Sequence, residues 1–161
     1  MAVCVFQENG FILFTPETNK MKITINLKKL KPGLHGFHVH RYGDLREGCK
    51  SLCEHFNPYG TNHGNITDDK DNRHIGDLGN IVVNEKGICN MVIYDKYIKL
   101  KGKCSIVGRS IVIHDKPDDL GIGGLDKQGN IVDMKIHKES LKTGNAGKRI
   151  LCGVIGLCNI D

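Results

Sequence analysis

The chain has 161 residues, 39% of them hydrophobic and 25% charged, and it carries a formal charge of +5. That length suits a single domain, residues 1–161, with a core of its own, and no apolar run reaches the ~18 residues that a membrane-spanning helix needs. The Lys and Arg residues are scattered among acids, so the excess charge reads as a mixed solvated surface and not as a stripe for nucleic acid.

The opening Met1-Ala2-Val3-Cys4-Val5-Phe6 has no basic region leading into a long apolar stretch. No secretory leader is therefore expected, and the cytoplasm is the expected compartment. Short β-type segments follow one another along the chain: residues 3–7, 11–15, 21–27, 34–41, 80–84, 88–95, 106–114 and 149–157. Residues 21–27 alternate apolar and polar side chains, the period of a half-buried strand. Turn signals separate many of these segments, among them Glu8-Asn9-Gly10, Lys31-Pro32-Gly33 and Glu85-Lys86-Gly87. About eight short antiparallel strands predict an all-β sandwich or barrel. Two long stretches, from about 42 to 78 and from about 115 to 148, lack a strand pattern, and loops of that length in a compact domain commonly carry function.

The eight histidines crowd into or beside these two loops. His38 and His40 sit two apart on a predicted strand and so face one side. His55, His63 and His74 follow in the first long loop, Asp77 comes three residues after His74, and His114 ends a predicted strand. Three imidazoles and a carboxylate make a tetrahedral zinc set, and neutral imidazole suits copper equally well. Seven donors suffice for two four-coordinate sites if one imidazole bridges both ions. Spacing alone leaves the metal and its chemistry open.

The string Gly33-Leu34-His35-Gly36-Phe37-His38-Val39-His40 closely resembles the copper-ligand strand of the copper–zinc superoxide dismutases. His55-Phe56-Asn57-Pro58, Arg73-His74-Ile75-Gly76-Asp77-Leu78-Gly79-Asn80, His114-Asp115-Lys116-Pro117-Asp118-Asp119-Leu120-Gly121 and Thr143-Gly144-Asn145-Ala146-Gly147-Lys148-Arg149 resemble further blocks of that family, in the same order. The resemblance implies an eight-stranded Greek-key β-barrel, an immunoglobulin-like sandwich with two long functional loops, usually found as a homodimer. It implies an oxidoreductase that turns superoxide into oxygen and hydrogen peroxide by alternating reduction and oxidation of copper, with zinc as a structural and tuning metal. By position it assigns His38, His40, His55 and His114 to copper, and His55, His63, His74 and Asp77 to zinc, His55 being the bridge that also relays a proton. Asp118 is expected to link His38 to His63. Arg149 is expected to attract the substrate anion beside copper, and Cys49 and Cys152 to form a disulfide. His35 is read as structural and His137 as a surface residue. Cys4 is read as a buried thiol, with Cys53, Cys89, Cys104 and Cys158 free. The absence of proline in Gly147-Lys148-Arg149-Ile150 implies that a copper chaperone can take part without being obligatory.

Two departures stand out. The first hairpin is short, and the stretch from Gly124 to Lys142 is longer than the family's usual loop. Within it Ile131-Val132-Asp133-Met134-Lys135-Ile136 alternates like a strand, which predicts a segment folded back on the barrel with Val132, Met134 and Ile136 packed. Lys127, Lys135 and Lys138 would then add positive potential at the channel mouth. For the dimer, Val3, Val5, Val107, Gly108, Ile155 and Gly156 are the expected contact positions. A metal-binding homologue without turnover, acting as a copper-chaperone decoy or a metal buffer, is the alternative that the lengthened loop leaves open.

Overall fold

The computed structural model describes residues 1–159, so the last two residues of the expected unit lie outside it. Eight strands form one antiparallel sheet: β1 (Ala2–Val5), β2 (Gly10–Pro16), β3 (Met21–Leu27), β4 (Gly33–His40), β5 (Asp77–Val83), β6 (Cys89–Asp95), β7 (Ser110–His114) and β8 (Arg149–Leu157). Their order is β5-β4-β7-β8-β1-β2-β3-β6. The two end strands, β5 and β6, are consecutive in sequence and joined by a tight turn in which Asn84 and Ile88 pair, so the sheet curls into a nearly closed barrel. The pairings β3–β6, β4–β7 and β1–β8 join strands distant in sequence, which is the Greek-key pattern.

The period of two decides what each strand buries. Met21, Ile23, Ile25 and Leu27 of β3 all point into the core, as their alternation predicts, with Ile12 and Phe14 of β2 and Ala2 and Cys4 of β1 beside them. From His35 onward, strand β4 is buried on both faces. Phe37 and Val39 join the core, while His38 and His40 point the other way, off the outside of the barrel and beneath the loops. Strand β7 repeats this division, with Ile111 and Ile113 inward and His114 outward.

Two predicted strands shift their limits. Residues 106–109 form a turn, closed by Arg109 N–H on the Ile106 carbonyl, so β7 starts only at Ser110. Strand β5 starts earlier than predicted, at Asp77, which pairs with His38 across a bulge in β5.

The lengthened loop departs from its predicted form. Residues 131–136 do not fold back as a strand; Met134–Thr143 is a helix, α1. Ile131 makes an isolated antiparallel bridge with Leu125, and the residues that follow carry helix signals at both ends. Asp133 accepts a hydrogen bond from Ile136 N–H at 2.9 Å as N-cap, and Gly144 closes the helix in the left-handed region at φ 65°. Val132, Met134 and Ile136 are exposed, at 69%, 53% and 45%, so they are not a packing face. The predicted Gln128-Gly129-Asn130 turn is present, capped by the Asp126 carboxylate.

Candidate metal centre

Backbone pairing gathers the ligand candidates before any side chain is considered. His38 lies opposite Asp77, His40 bridges to His55, and His114 lies opposite Arg149 across a bulge in β8. The donors come from three strands and the first long loop, and the loops over them leave the rings 6% exposed or less.

Two donor groups result. In the first, one nitrogen from each of His38, His40, His55 and His114 lies within 4.8 Å of the others. In the second, three imidazole Nδ1 atoms converge on Oδ1 of Asp77: His55 at 2.8 Å, His63 at 3.0 Å and His74 at 3.1 Å. His38 also falls within reach of this second group. Its Nε2, however, lies 2.5 Å from Asp118, which leaves only Nδ1 as a donor, and that atom can serve one ion. His74 is therefore the better fourth member. His55 stands in both groups, its ring centroid 3.9 Å from that of His38 and its Nδ1 turned to Asp77.

Four buried nitrogens test whether metal fits. His38 Nδ1, His40 Nε2, His63 Nδ1 and His114 Nε2 have no hydrogen-bond partner among the described residues. A buried polar atom left unpaired costs on the order of 1–3 kcal/mol, and four pointing into two small volumes is an arrangement that two cations would satisfy. His63 Nδ1 is instructive. It is 3.0 Å from Asp77 Oδ1 yet lacks hydrogen-bond geometry, as two ligands facing a common point would. Imidazole and carboxylate donors in these numbers suit copper and zinc.

The remaining ring nitrogens are tied back to the protein, which fixes tautomer and ring direction. Asp118 holds His38 Nε2 and, at 2.8 Å, His63 Nε2, so one carboxylate spans both donor groups. His40 Nδ1 donates to the Cys53 carbonyl at 2.9 Å and His114 Nδ1 to that of Gly147 at 3.1 Å. Asp118 is itself held: its N–H donates to Asn80 Oδ1 at 2.7 Å, and Asn80 Nδ2 donates to its carbonyl at 2.9 Å. Gly144 is required where α1 ends, because a Cβ there would overlap both Asp118 and His63.

Without metal, burial pushes the pKa values of His38 and His40 well below the usual histidine value, and the neighbouring imidazoles add to it. Burial likewise takes His114 down to about 4 and lowers His55. His63 goes the other way: burial opposes its charge, but the hydrogen bond to Asp118 and the negative charges of Asp77 and Asp118 prevail and raise it to about 10. Asp77 is held well below the carboxylate range because hydrogen bonds from His55 and His74, with the close His63 ring, outweigh its burial. The first group is thus a set of free bases, and the second holds a proton that a cation would displace.

A cavity of about 750 Å³ opens onto the exposed side of these groups. Arg149 lines it, half-buried, with Nη1 donating to the Cys49 carbonyl at 2.7 Å and Nη2 to that of Cys53 at 2.5 Å. The Cys49–Cys152 disulfide is formed, with a Cα–Cα distance of 5.8 Å, and it fastens this part of the first long loop to β8. The other five cysteines are free thiols, as predicted, with Cys4 and Cys89 buried.

The cations of the mouth differ from those predicted. Lys116 and Lys142 line the cavity together with Glu139 and Glu54, whereas Lys127, Lys135 and Lys138 do not. The reason is the helix: only its C-terminal half faces the opening. His35 is structural as predicted, its two nitrogens facing the carbonyls of His114 at 2.7 Å and Lys31 at 2.8 Å. His137 is more than a surface residue. It is half-buried and faces the Gly123 carbonyl at 3.0 Å, bracing the lengthened loop.

Sequence reasoning passed over the buried Arg73, which pairs with Asp95 at 2.7 Å and donates to the carbonyls of Ile66, His74 and Ile75, and so fixes the loop beside Asp77. It also assigned no role to Asn80. Both lay inside quoted motif blocks, which was the only signal for them.

The chain matches the copper/zinc superoxide dismutase (SODC) family over residues 8–155. It is 51% identical over 148 residues to the "Superoxide dismutase [Cu-Zn]" of Paramecium bursaria Chlorella virus 1, a match that covers 91% of this chain and 72% of that one. It is 49% identical over 149 residues to the "Extracellular superoxide dismutase [Cu-Zn]" of Brugia pahangi, covering 92% and 69%. Among solved structures, that of the clock protein EA4 matches with a TM-score of 0.84 and 42% identity, over 98% of this chain and 94% of the other.

Proposed function

This chain belongs to the copper/zinc superoxide dismutase family, and from that premise we propose how its own residues divide the work. It is a superoxide dismutase: two superoxide anions and two protons become one dioxygen and one hydrogen peroxide. Copper, when bound, supplies the one-electron redox chemistry, and zinc supplies fixed positive charge beside it.

His38, His40, His55 and His114 would hold copper, and His55, His63, His74 and Asp77 would hold zinc. The observation that carries this division is the set of four buried, unpartnered imidazole nitrogens, divided between the two donor groups. Arg149 draws superoxide down the cavity and donates hydrogen bonds to it; its fork is already aimed by two carbonyls, so little is lost on orienting it. His55 holds or releases a proton at Nε2, the nitrogen not turned to Asp77, and its Nδ1 contact keeps the ring in place while it does so. Asp118 positions His38 and His63 together. The test is superoxide consumption by protein of verified copper and zinc content. No turnover with both metals in place would sink the reading and favour a metal-binding homologue without turnover, which nothing in the site or the comparisons supports.

A homodimer is part of this reading. Val5 and Val154 are exposed at 60% and 38% on neighbouring β1 and β8, on the face they share with Gly156, and such a patch suits an isologous contact. Ile155 is wholly buried in the core, and Val3 and Val107 are half-buried, so the expected interface narrows to the outward positions. Five free thiols, three of them partly exposed, suit a reducing compartment and support a cytoplasmic location. Copper loading without an obligatory chaperone follows from the proline-free Gly147-Lys148-Arg149-Ile150; a wholly copper-free product from copper-replete cells lacking the chaperone would refute it.

A further inference from the structure

A second cavity, of about 550 Å³, lies behind the wall formed by Glu54, His55 and Asn57, which it shares with the metal cavity. Three cations line it: Arg41, Lys103 and Arg109. None of the three makes an ion pair with a carboxylate among the described residues, whereas Lys20, Lys29, Arg46, Lys70 and Arg73 all do. Glu54 is the single acid of the lining, and it too is without an ion pair.

The cations are held and not merely crowded. Arg109 lies flat against Phe56, its guanidinium carbon 3.6 Å from the ring centroid. Its Nε donates to the Ser105 carbonyl at 2.8 Å and its Nη1 to the Arg41 carbonyl at 2.6 Å, which leaves Nη2 free. Lys103 Nζ sits 4.1 Å over the ring of Tyr59, and the Arg41 guanidinium stacks on Tyr42 at 5.2 Å. Burial, and then the charge of Arg41, press Arg109 below the usual arginine value, so these like charges stand close enough to repel each other. Three cations line one concavity against a single acid, Glu54, with which none of them pairs, so the lining keeps an excess of positive charge that a multiply charged anion would neutralise while using the free donors.

We propose that the cavity lined by Arg41, Lys103 and Arg109 binds a phosphate-class oxyanion, separately from the substrate anion drawn in by Arg149. The volume exceeds that of inorganic phosphate, so a phosphate carried on a small organic group fits as well. Superoxide is not the ligand here, because Arg149, which draws it toward the metal groups, lines the other cavity and not this one.

The test is calorimetric titration of the copper- and zinc-loaded protein with inorganic phosphate at low ionic strength, which reads binding independently of activity. The Arg149→Gln variant removes the competing anion site and should keep one saturable phosphate-binding event. Adding Arg41→Gln and Lys103→Gln, both exposed and outside the core, should weaken that event by about tenfold or more. Arg109→Lys, which keeps the charge and loses the fork, should weaken it to a lesser degree. Absence of saturable binding in Arg149→Gln, or binding of unchanged strength in the triple variant, would overturn the proposal.

Discussion

The carbonyl oxygen of Cys49 accepts a hydrogen bond from Nη1 of Arg149 at 2.7 Å, across 100 residues of chain. The same Cys49 is bonded through sulfur to Cys152, three residues after Arg149 on β8. The disulfide thus fixes the loop carbonyls that aim the guanidinium. Reduction, or Cys49→Ser, should lower turnover in protein that keeps its metals. Arg149→Ala should cost several-fold to about a hundred-fold, the scale for losing one oriented donor and its charge. Arg149→Lys should recover the salt dependence of the rate without the full rate. Rate against ionic strength, with metal analysis, checks all three; a Cys49→Ser protein of full rate would break the link.

Asp118 divides its two oxygens between His38 and His63, so it touches both donor groups. Asp118→Asn should weaken both metals, by about 10–100-fold each. His114→Ala should lower copper alone and His74→Ala zinc alone, because each ring serves one group. Metal content after dialysis against graded chelator distinguishes these outcomes. Equal zinc loss in His114→Ala would contradict the division of ligands.

The metal-free protein should show a stability maximum near pH 6.5, the ordinary histidine value. On the acid side, His38, His40 and His114 are depressed in the folded state, His114 to about 4. Their contribution is complete above the unfolded value and is lost as pH falls through 6.5 toward about 4. On the alkaline side, His63 is raised to about 10, so its contribution is complete below 6.5 and is lost as pH climbs to about 10. Zinc displaces the His63 proton and should flatten the alkaline limb. Melting temperature against pH, with and without zinc, reads both limbs; an alkaline limb of equal slope in both forms would count against a proton on His63.

Asp133→Ala removes the N-cap of α1 and should cost about 1 kcal/mol of stability with little change in rate. The cap lies at the end of the helix away from Lys142 and Thr143, which line the metal cavity. Val132→Ser and Met134→Ser, at exposed positions, should stay within about 0.5 kcal/mol of the parent. Thermal melts decide it, and a large loss in Met134→Ser would show that the loop packs after all.

Val5→Arg should turn the proposed dimer into a monomer, since it places a charge in an outward-facing apolar contact. Light scattering at micromolar concentration should give twice 17.9 kDa for the parent and 17.9 kDa for the variant. A monomeric parent would rule out the interface.

The sequence by itself determined the strands that alternate, such as β3, and offered seven candidate metal donors, because strand period and donor chemistry are local properties that survive translation into text. It also placed Arg149, Asp118 and the Cys49–Cys152 pair, but only through resemblance, since no local pattern tells that Asp118 reaches two rings or that two cysteines 103 residues apart meet. Tertiary structure decided the rest. The alternation in Ile131-Val132-Asp133-Met134-Lys135-Ile136 reads as a strand, yet pairing stops at the single Ile131–Leu125 bridge, and the cap at Asp133 and the left-handed Gly144 close a helix beyond it. For the same reason Lys116 and Lys142 came to flank the metal cavity in place of Lys127, Lys135 and Lys138. The convergence of Arg41, Lys103 and Arg109 was invisible in sequence, because a shared cavity is a property of how a strand end and two distant turns close on each other.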